Sequence, residues 1–301
     1  MLKKVLIIGF GSIGRRHAKI LKKNPNIKNV FVLTNQNCPS YIKIKSLKEI
    51  NKINPDYIII SSETSKHFTQ LNYIEKNFKN KIILVEKPLF EKNKKLTLKN
   101  NKVFVGYNMR FNPIIKKIRK IILNRKIWSV NVFCGSYLPN WRKNIDYSKS
   151  SSAIKKKGGG VLLDLSHELD YLSWIFGNFK IKYVINKKIS DLKINTDDFL
   201  CLTGKFKKKI YLQLNLNYFT REAKRQILID GKDLSISANL INKNLIFHDK
   251  NKIYKIKYNF NRDYTYKEQH RNIMNKKFTN CCTLKDAQNI MSIINKIRKF
   301  K

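Results

Sequence analysis

Lys4-Val5-Leu6-Ile7-Ile8-Gly9-Phe10-Gly11-Ser12-Ile13-Gly14-Arg15-Arg16-His17 is the stretch on which the reading of this chain turns. Residues 5–8 form a short apolar run with β-branched side chains, the pattern of a buried strand. Gly9, Gly11 and Gly14 follow at the spacing G-x-G-x-x-G. Gly9 permits a tight turn out of the strand. Gly11 lets a pyrophosphate approach the backbone, and Gly14 lets the next helix pack on the strand. A helix from Ser12 would turn its unpaired amides and the positive end of its dipole towards the phosphates. Glycines also cluster in turns that bind nothing, so an empty turn is the competing reading. The strand before and the amphipathic segment after (Ile13, Ala18, Ile20, Leu21) favour a dinucleotide site lined by Gly9, Phe10, Gly11, Ser12, Ile13 and Gly14.

Working outward, a second strand at 30–33 ends at Thr34. An acid about 20 residues past the glycines would hold the ribose 2′-hydroxyl of NAD. Thr34 stands in its place, and a neutral hydroxyl does not repel a 2′-phosphate. The cofactor therefore reads as NAD(P) with a lean to NADP, unless Thr34 only terminates the strand. Residues 46–53 read as helical. A third strand at 56–60 runs into Ser61-Ser62-Glu63-Thr64-Ser65-Lys66-His67, a polar loop at the start of a helix reaching about residue 79. Strands at 81–85 and 103–107 follow, the first ending in Glu86-Lys87-Pro88. Strands alternating with helices predict a parallel sheet with ligands beyond its carboxyl ends. The glycine turn, Ser61-Ser62 and Glu86-Lys87-Pro88 all stand at such ends.

The pattern changes after about residue 125. An extended segment at 128–137 leads into a polar, aromatic loop that reaches Lys157. Tyr137, Trp141, Arg142 and Tyr147 have the chemistry to stack on and bond a polar ligand. A long surface loop with one buried anchor is the plainer alternative. Gly158-Gly159-Gly160 then opens residues 161–176, which read as one helix stopped by Gly177. Strand-like runs follow at 181–185, 199–206, 210–218 and 226–229, with turns at Lys207-Lys208-Lys209 and Asp230-Gly231. The last amphipathic helix covers about 283–299. The expected fold is α/β. A doubly wound Rossmann domain spans 1–106. An α+β domain with a largely antiparallel open sheet spans 107–301, its last helix free to pack back on the first domain.

Two places carry candidate chemistry. Asp164 and His167 are three residues apart and share a helix face, with Tyr171 one turn on. A carboxylate beside a histidine fixes its tautomer and raises its pKa, which suits proton transfer near neutral pH. Helix capping and an exposed polar face would explain the same residues without chemistry. Lys87 ends a strand, and Pro88 holds it extended. It could donate to a ribose or substrate hydroxyl, or be one solvated lysine among many.

Composition excludes several classes. The net charge of +43, from 63 basic and 20 acidic residues in 301, invites a nucleic-acid reading. The lysines are scattered, and no basic stripe or aromatic RNA-binding signature accompanies them, so no specific nucleic-acid partner is expected. Anionic substrates would still be drawn to the chain. Five cysteines, an odd number with no C-x-x-C, argue against a disulfide framework or a zinc site. No apolar run is long enough to span a membrane, and no signal peptide precedes the glycine turn. A cytoplasmic protein with no bound metal is the expectation.

Taken together, residues 5–14, Glu86-Lys87-Pro88, Gly106-Tyr107-Asn108-Met109-Arg110-Phe111-Asn112-Pro113, and Gly158-Gly159-Gly160 with Asp164, His167 and Asp170 resemble the Gfo/Idh/MocA oxidoreductases. The resemblance covers essentially the whole chain. It implies hydride transfer between NAD(P) and a carbinol or carbonyl carbon of a sugar, including nucleotide sugars and amino sugars. It implies a catalytic Lys87, His167 as general acid/base and Asp164 as its partner. Cofactor contacts would come from the glycine turn, Thr34, Ser61, Ser62, His67, Glu86, Lys87 and Asn108. Substrate contacts would come from Tyr137, Trp141, Arg142, Tyr147, Asp164 and His167. Glu63 and Thr64 stand where the family usually has Pro and Asn, and two residues rather than three separate Asp164 from His167. An open sheet face would permit a homo-oligomer. The alternative is a non-catalytic dinucleotide-binding sensor, which would be expected to have lost Lys87, Asp164 or His167.

Overall fold

The computed structural model describes residues 3–142, 144–207 and 209–300. Met1, Leu2, Lys143, Lys208 and Lys301 lie outside the described residues, and with them part of the Lys207-Lys208-Lys209 turn. The chain forms two compact units. One holds the residues up to Asn108 with Arg262–Met291, the other Met109–Asn261 with the chain from Ser292.

In the first unit, β1 (Lys3–Ile8) leads into α1 (Ser12–Lys22) and β2 (Ile27–Leu33). A short β3 (Ile42–Ile44), α2 (Ile50–Ile53) and β4 (Tyr57–Ile60) follow, then α3 (Thr64–Asn77), β5 (Ile82–Val85) and β6 (Lys102–Val105). β1 pairs in parallel with both β2 and β4. Its residues Val5 to Ile8 are essentially sequestered from solvent, because a central parallel strand is covered on both faces. β5 and β6 also pair in parallel, and the chain between them, residues 86–101, contains no helix. Glu75 on α3 instead anchors the connection, accepting the amides of Lys99 and Asn100 at 2.7 Å each.

In the second unit, α4 (Pro113–Ile121) starts at Asn112, whose side chain accepts the Ile114 amide at 2.9 Å. β7 (Ile127–Gly135) precedes α5 (Val161–Asp164) and α6 (His167–Phe176). Then come β8 (Phe179–Lys187), β9 (Phe199–Phe206), β10 (Tyr211–Asn217), β11 (Lys224–Gly231), β12 (Leu234–Asn239), β13 (Asn244–Asp249) and β14 (Lys252–Lys257). The sheet order is β14-β13-β12-β11-β7-β10-β9-β8, antiparallel except for the β10–β7 pair. Alternate residues such as Leu212, Leu214, Ile227 and Ile229 are buried while Gln213, Leu228 and Ser235 are exposed, so one face of the sheet is covered and the other open.

The chain returns to the first unit with α7 (Tyr264–Met274), β15 (Cys282–Thr283) and the first part of α8 (Leu284–Arg298). β15 pairs antiparallel with β6, giving the order β15-β6-β5-β4-β1-β2-β3. The sequence expectation assigned everything after residue 106 to the second domain. α7 stands with the first unit because Thr265 accepts from Asn108 Nδ2 at 3.0 Å and Gln269 donates to the Val105 carbonyl.

Two further expectations are corrected. Residues 161–176 are not one helix. The Ser166 hydroxyl takes the Leu163 carbonyl at 2.8 Å, and the turn tightens between α5 and α6. Asp230-Gly231 is not a turn but the end of β11. Gly231 is small because the Lys126 carbonyl crowds its Cα, and the turn lies at Lys232 and Asp233, the latter with φ of 54°. Among the described residues, no helix is long and apolar enough to cross a membrane.

Candidate active site

The topology places the glycine turn where the chain can serve a nucleotide. From β1 the sheet grows one way through β2 and β3 and the other way through β4 to β6. The crevice beyond the carboxyl ends at such a switch point is the usual ligand site of an open parallel sheet. Gly9 leaves β1 with φ of 94°, and a Cβ there would stand 2.5 Å from the Ser62 amide. A Cβ on Gly14 would collide with the Gly9 carbonyl. Ser61 closes the turn by donating to the Gly9 carbonyl at 3.0 Å. Gly11 differs from both, since no described atom beyond its own chain neighbours lies within 4 Å of where its Cβ would stand. It caps α1, whose first turn holds no acidic side chain. An open approach to free first-turn amides fits the pyrophosphate of a dinucleotide.

Phe10 is buried, edge-on to Tyr41 with centroids 5.5 Å apart, and the Arg15 guanidinium lies 4.5 Å from its ring centroid. Arg15 also donates to Gln36 Oε1 at 2.7 Å. Thr34 follows β2 directly and accepts the Gln36 amide at 3.1 Å. The position expected to hold an acid therefore has a satisfied hydroxyl with a guanidinium held beside its loop. Arg15 was legible only as a basic residue after the third glycine.

Glu86-Lys87-Pro88 follows β5, with the Lys87–Pro88 peptide cis and Lys87 half-buried. Glu86 and His67, both expected to touch cofactor, hold structure together. Glu86 is buried, its Oε1 3.0 Å from His17 Nε2 and its Oε2 accepting the Lys87 amide at 3.3 Å. His67 Nδ1 faces the carbonyls of Pro88 and Leu89 at 3.2 Å, and its Nε2 faces the Ser62 carbonyl at 3.1 Å. It thereby ties the chain after β4 to the chain after β5. Burial holds its pKa below the ordinary histidine value despite these carbonyls. Asn108 is likewise buried, on Thr265. Behind Glu86, His17 Nδ1 stands 2.8 Å from His270 Nε2, and His270 Nδ1 stands 3.0 Å from the Tyr57 hydroxyl. Burial, with His17 alongside, pushes His270 well below the ordinary value.

In the second unit, Gly159 and Gly160 close onto neighbouring chain. Gly160 has φ of 116° and faces the Asp197 carboxyl, whose Oδ2 accepts the Leu162 amide at 2.9 Å. Burial raises the Asp197 pKa against that hydrogen bond. Asp164 ends α5 and His167 begins α6, both half-buried. Asp164 Oδ2 accepts the Tyr218 hydroxyl at 2.6 Å, and burial, reinforced by Asp164, pushes the Tyr218 pKa well up. Trp141 stands edge-on to Tyr218 and donates to Ser136 Oγ at 2.8 Å. The Tyr147 hydroxyl accepts the Lys193 amide at 3.0 Å, and Arg221 covers the Tyr137 ring at 3.8 Å. A surface hollow runs along Pro139, Asn140, Arg142, Asn144, Ile145 and Asp146, and a second, narrow hollow is lined by residues that include Trp141 and Tyr147.

Tyr171 does not share an open face with Asp164. It is fully buried, with Glu168, Arg225 and Cys134 around it. Asp170 is equally buried and receives Arg110 through Nη2 at 2.7 Å and Nε at 3.0 Å. Tyr218, Asp197, His17 and His270 were not singled out from the sequence. Only His17 left a sequence signal, three residues beyond Gly14 on the buried face of α1.

The chain also matches known proteins. Over 240 residues it is 25% identical to the glucose-6-phosphate 3-dehydrogenase of Bacillus subtilis (strain 168), covering 71% of this chain and 67% of that protein. In fold it is similar to the UDP-N-acetylglucosamine 3-dehydrogenase GnnA from Acidithiobacillus ferrooxidans, with a TM-score of 0.77, 15% identity and coverage of 99% and 97%. It is also similar to a levoglucosan dehydrogenase in complex with NADH, with a TM-score of 0.82, 14% identity and coverage of 99% and 96%. Residues 3–104 match the oxidoreductase family's NAD-binding Rossmann fold and residues 119–299 its C-terminal alpha/beta domain. With both halves matched in order, the chain belongs to the Gfo/Idh/MocA oxidoreductase family.

Proposed function

We propose that this protein is an NAD(P)-dependent dehydrogenase or reductase of an anionic sugar, such as a sugar phosphate or a nucleotide sugar. The observation that carries the reading is the open backbone at Gly11, capping a helix whose first turn has no acidic side chain. The relative named for glucose 6-phosphate and the fold neighbour named for a UDP-sugar support the substrate class. So does the charge of +43, which draws anions.

The glycine turn and the first-turn amides of α1 would hold the pyrophosphate, and Ser61 and Ser62 would flank it. A bound nicotinamide supplies the hydride acceptor or donor. The chain's own residues manage the proton. Hydride leaves a carbinol carbon only as its hydroxyl loses a proton, so a base must reach that oxygen. His167 takes this proton, Lys87 stabilises the developing alkoxide, and Asp164 holds the imidazole in the required tautomer while Tyr218 holds Asp164. Trp141, Arg142, Tyr137 and Tyr147 bind the sugar and its anionic substituent.

NADP is the favoured cofactor. Thr34 offers no negative charge, and Arg15, steadied by Gln36 and Phe10, has the charge to meet a 2′-phosphate. The open face of the second unit's sheet, with exposed Tyr183, Tyr211 and Leu228, favours a homodimer. Light scattering would show the dimer mass, and a monomer at micromolar concentration would rule it out.

The test of the function is a screen of hexose phosphates, nucleotide sugars and amino sugars with NAD or NADP, followed at 340 nm. Turnover of an anionic sugar supports the reading. Tight cofactor binding with no turnover across the panel would favour the sensor instead.

A further inference from the structure

The first unit contains a buried line of four side chains drawn from four separate elements. Tyr57 comes from β4, His270 from α7, His17 from α1, and Glu86 from the end of β5. They are linked at 3.0, 2.8 and 3.0 Å. All four are nearly sequestered from water, with Tyr57 2% and Glu86 7% exposed. Each contact needs one proton between its two heavy atoms, so the line has a direction that can be worked out.

Among the described residues, the Tyr57 hydroxyl has a single hydrogen-bonding partner, His270 Nδ1. A buried hydroxyl gives its proton to the acceptor within reach. His270 Nδ1 then accepts, and the ring's one proton sits on Nε2. That proton points at His17 Nδ1, which accepts in turn, so the His17 proton sits on Nε2 and is donated to Glu86 Oε1. A proton on His17 Nδ1 would face the proton on His270 Nε2 across 2.8 Å. The depressed pKa of His270 agrees with a ring that keeps one proton.

The far end of the line reaches the lysine motif. Glu86 Oε2 accepts the Lys87 amide. The carboxylate lies against Gly106, where a Cβ would come 2.5 Å from Oε1. Glu86 is thus gripped from His17, from the Lys87 backbone and by the glycine that leaves it room. We propose that Tyr57, His270 and His17 form a one-way positioning chain that keeps Glu86 a hydrogen-bond acceptor and so fixes the backbone at Lys87. The proposal rests on the reading of Lys87 as the group that stabilises the alkoxide. On this account α7, which rejoins the first unit more than 150 residues after the lysine motif, is part of what places the lysine.

Ring ¹⁵N shifts of the full-length, histidine-labelled protein at pH 7.5 test the direction without any substrate. His17 and His270 should both appear as Nε2-protonated tautomers. Tyr57→Phe, which removes only the hydroxyl, should keep both tautomers, because Glu86 still takes the His17 proton, and should move the His270 Nδ1 signal downfield as that nitrogen loses its donor. An Nδ1-protonated or doubly protonated ring at either position in the wild type would overturn the chain, as would an unchanged His270 Nδ1 shift in a folded Tyr57→Phe. With the substrate from the screen, Tyr57→Phe should lower kcat by roughly 10-fold to 100-fold, the usual effect of a small misplacement. KM should stay within about twofold. In a Lys87→Met background the same change should add nothing, because residues acting through one group are not additive. Full kcat in Tyr57→Phe while Lys87→Met is impaired would sink the positioning role and leave the function standing. Full kcat in Lys87→Met would remove the role of the lysine, and the positioning chain with it.

Discussion

The Tyr218 hydroxyl donates to Asp164 Oδ2 at 2.6 Å, joining the residue just past β10 to the last residue of α5. Because the helix is broken after Asp164, the carboxyl takes its orientation from the sheet as well as from its own backbone. Tyr218→Phe should lower the free energy of unfolding by about 1.5–3 kcal/mol, the worth of a hydrogen bond to a charged group, measured by urea denaturation. It should also lower kcat without changing cofactor affinity. An unaltered kcat in the destabilised variant would mean that Asp164 does not orient the general base.

The three glycines of the first turn should behave differently. Gly11 has ordinary extended geometry, with φ of −70° and ψ of −169°, and open space at its Cβ position. Gly11→Val should fold normally, with a circular dichroism spectrum and melting temperature close to wild type, yet lose dinucleotide binding. Gly14→Ala should lose stability, because its methyl group collides with the Gly9 carbonyl. Tight NADPH or NADH binding by folded Gly11→Val would remove the phosphate role of the turn.

How much of this was legible in the sequence depended on how local each signal was. Residues 5–8, the strand end at Leu33 and the run 199–206 read correctly because a central strand is apolar throughout and a half-buried strand alternates, and both patterns are visible within one window. The split at Leu165 and Ser166 was not visible, since a serine hydroxyl that takes a carbonyl one turn back leaves the apolar spacing intact. β14 escaped because none of its residues is buried, and α7 because its buried positions include Thr265, Gln269 and His270 rather than an apolar stripe. The partner of Glu86 lies 69 residues before it in His17, and the partner of His17 on a helix that follows residue 261. Such pairings are set by topology, and no spacing rule within one segment reports them.

Cofactor choice should respond to two positions. Arg15→Ala removes the guanidinium held by Gln36 and stacked on Phe10. It should weaken NADP binding more than NAD binding, by about tenfold, equivalent to roughly 1.4 kcal/mol. Thr34→Asp should move preference the same way by repelling the 2′-phosphate. Fluorescence titrations with NADPH and NADH read both changes. A wild-type preference for NAD above tenfold would reverse the proposed order.

The buried histidines make a pH prediction with a definite sign. Burial lowers the pKa of both His270 and His67 in the folded chain. Below the ordinary histidine value, near 6.5, the unfolded chain takes up protons that these two rings refuse. Stability therefore falls as pH drops below about 6.5, by at most about 1.4 kcal/mol per pH unit for each excluded proton. Urea midpoints at pH 7.5, 6.5 and 5.5 should decline in that order. His270→Gln, less stable at pH 7.5, should show a shallower decline. An equal decline in both proteins would place the acid sensitivity elsewhere.

The proton assignment is tested at His167 and Lys87 together. If His167 removes the carbinol proton, His167→Asn keeps size and some hydrogen bonding but loses the base. Cofactor affinity should hold, substrate KM should change little, and kcat should fall by roughly 10²–10⁴-fold, the usual worth of a positioned acid or base. Lys87→Met should also lower kcat, with NADPH binding kept, since the phosphates rest on the glycine turn. The two defects differ in their dependence on pH. The wild-type rate should carry the pH dependence of its base, and His167→Asn should lose that dependence. Lys87→Met should keep it, because the base is intact. Near-normal turnover in folded His167→Asn would leave the histidine as a helix-face residue. Loss of cofactor binding in the same variant would assign it to the nucleotide rather than to the proton.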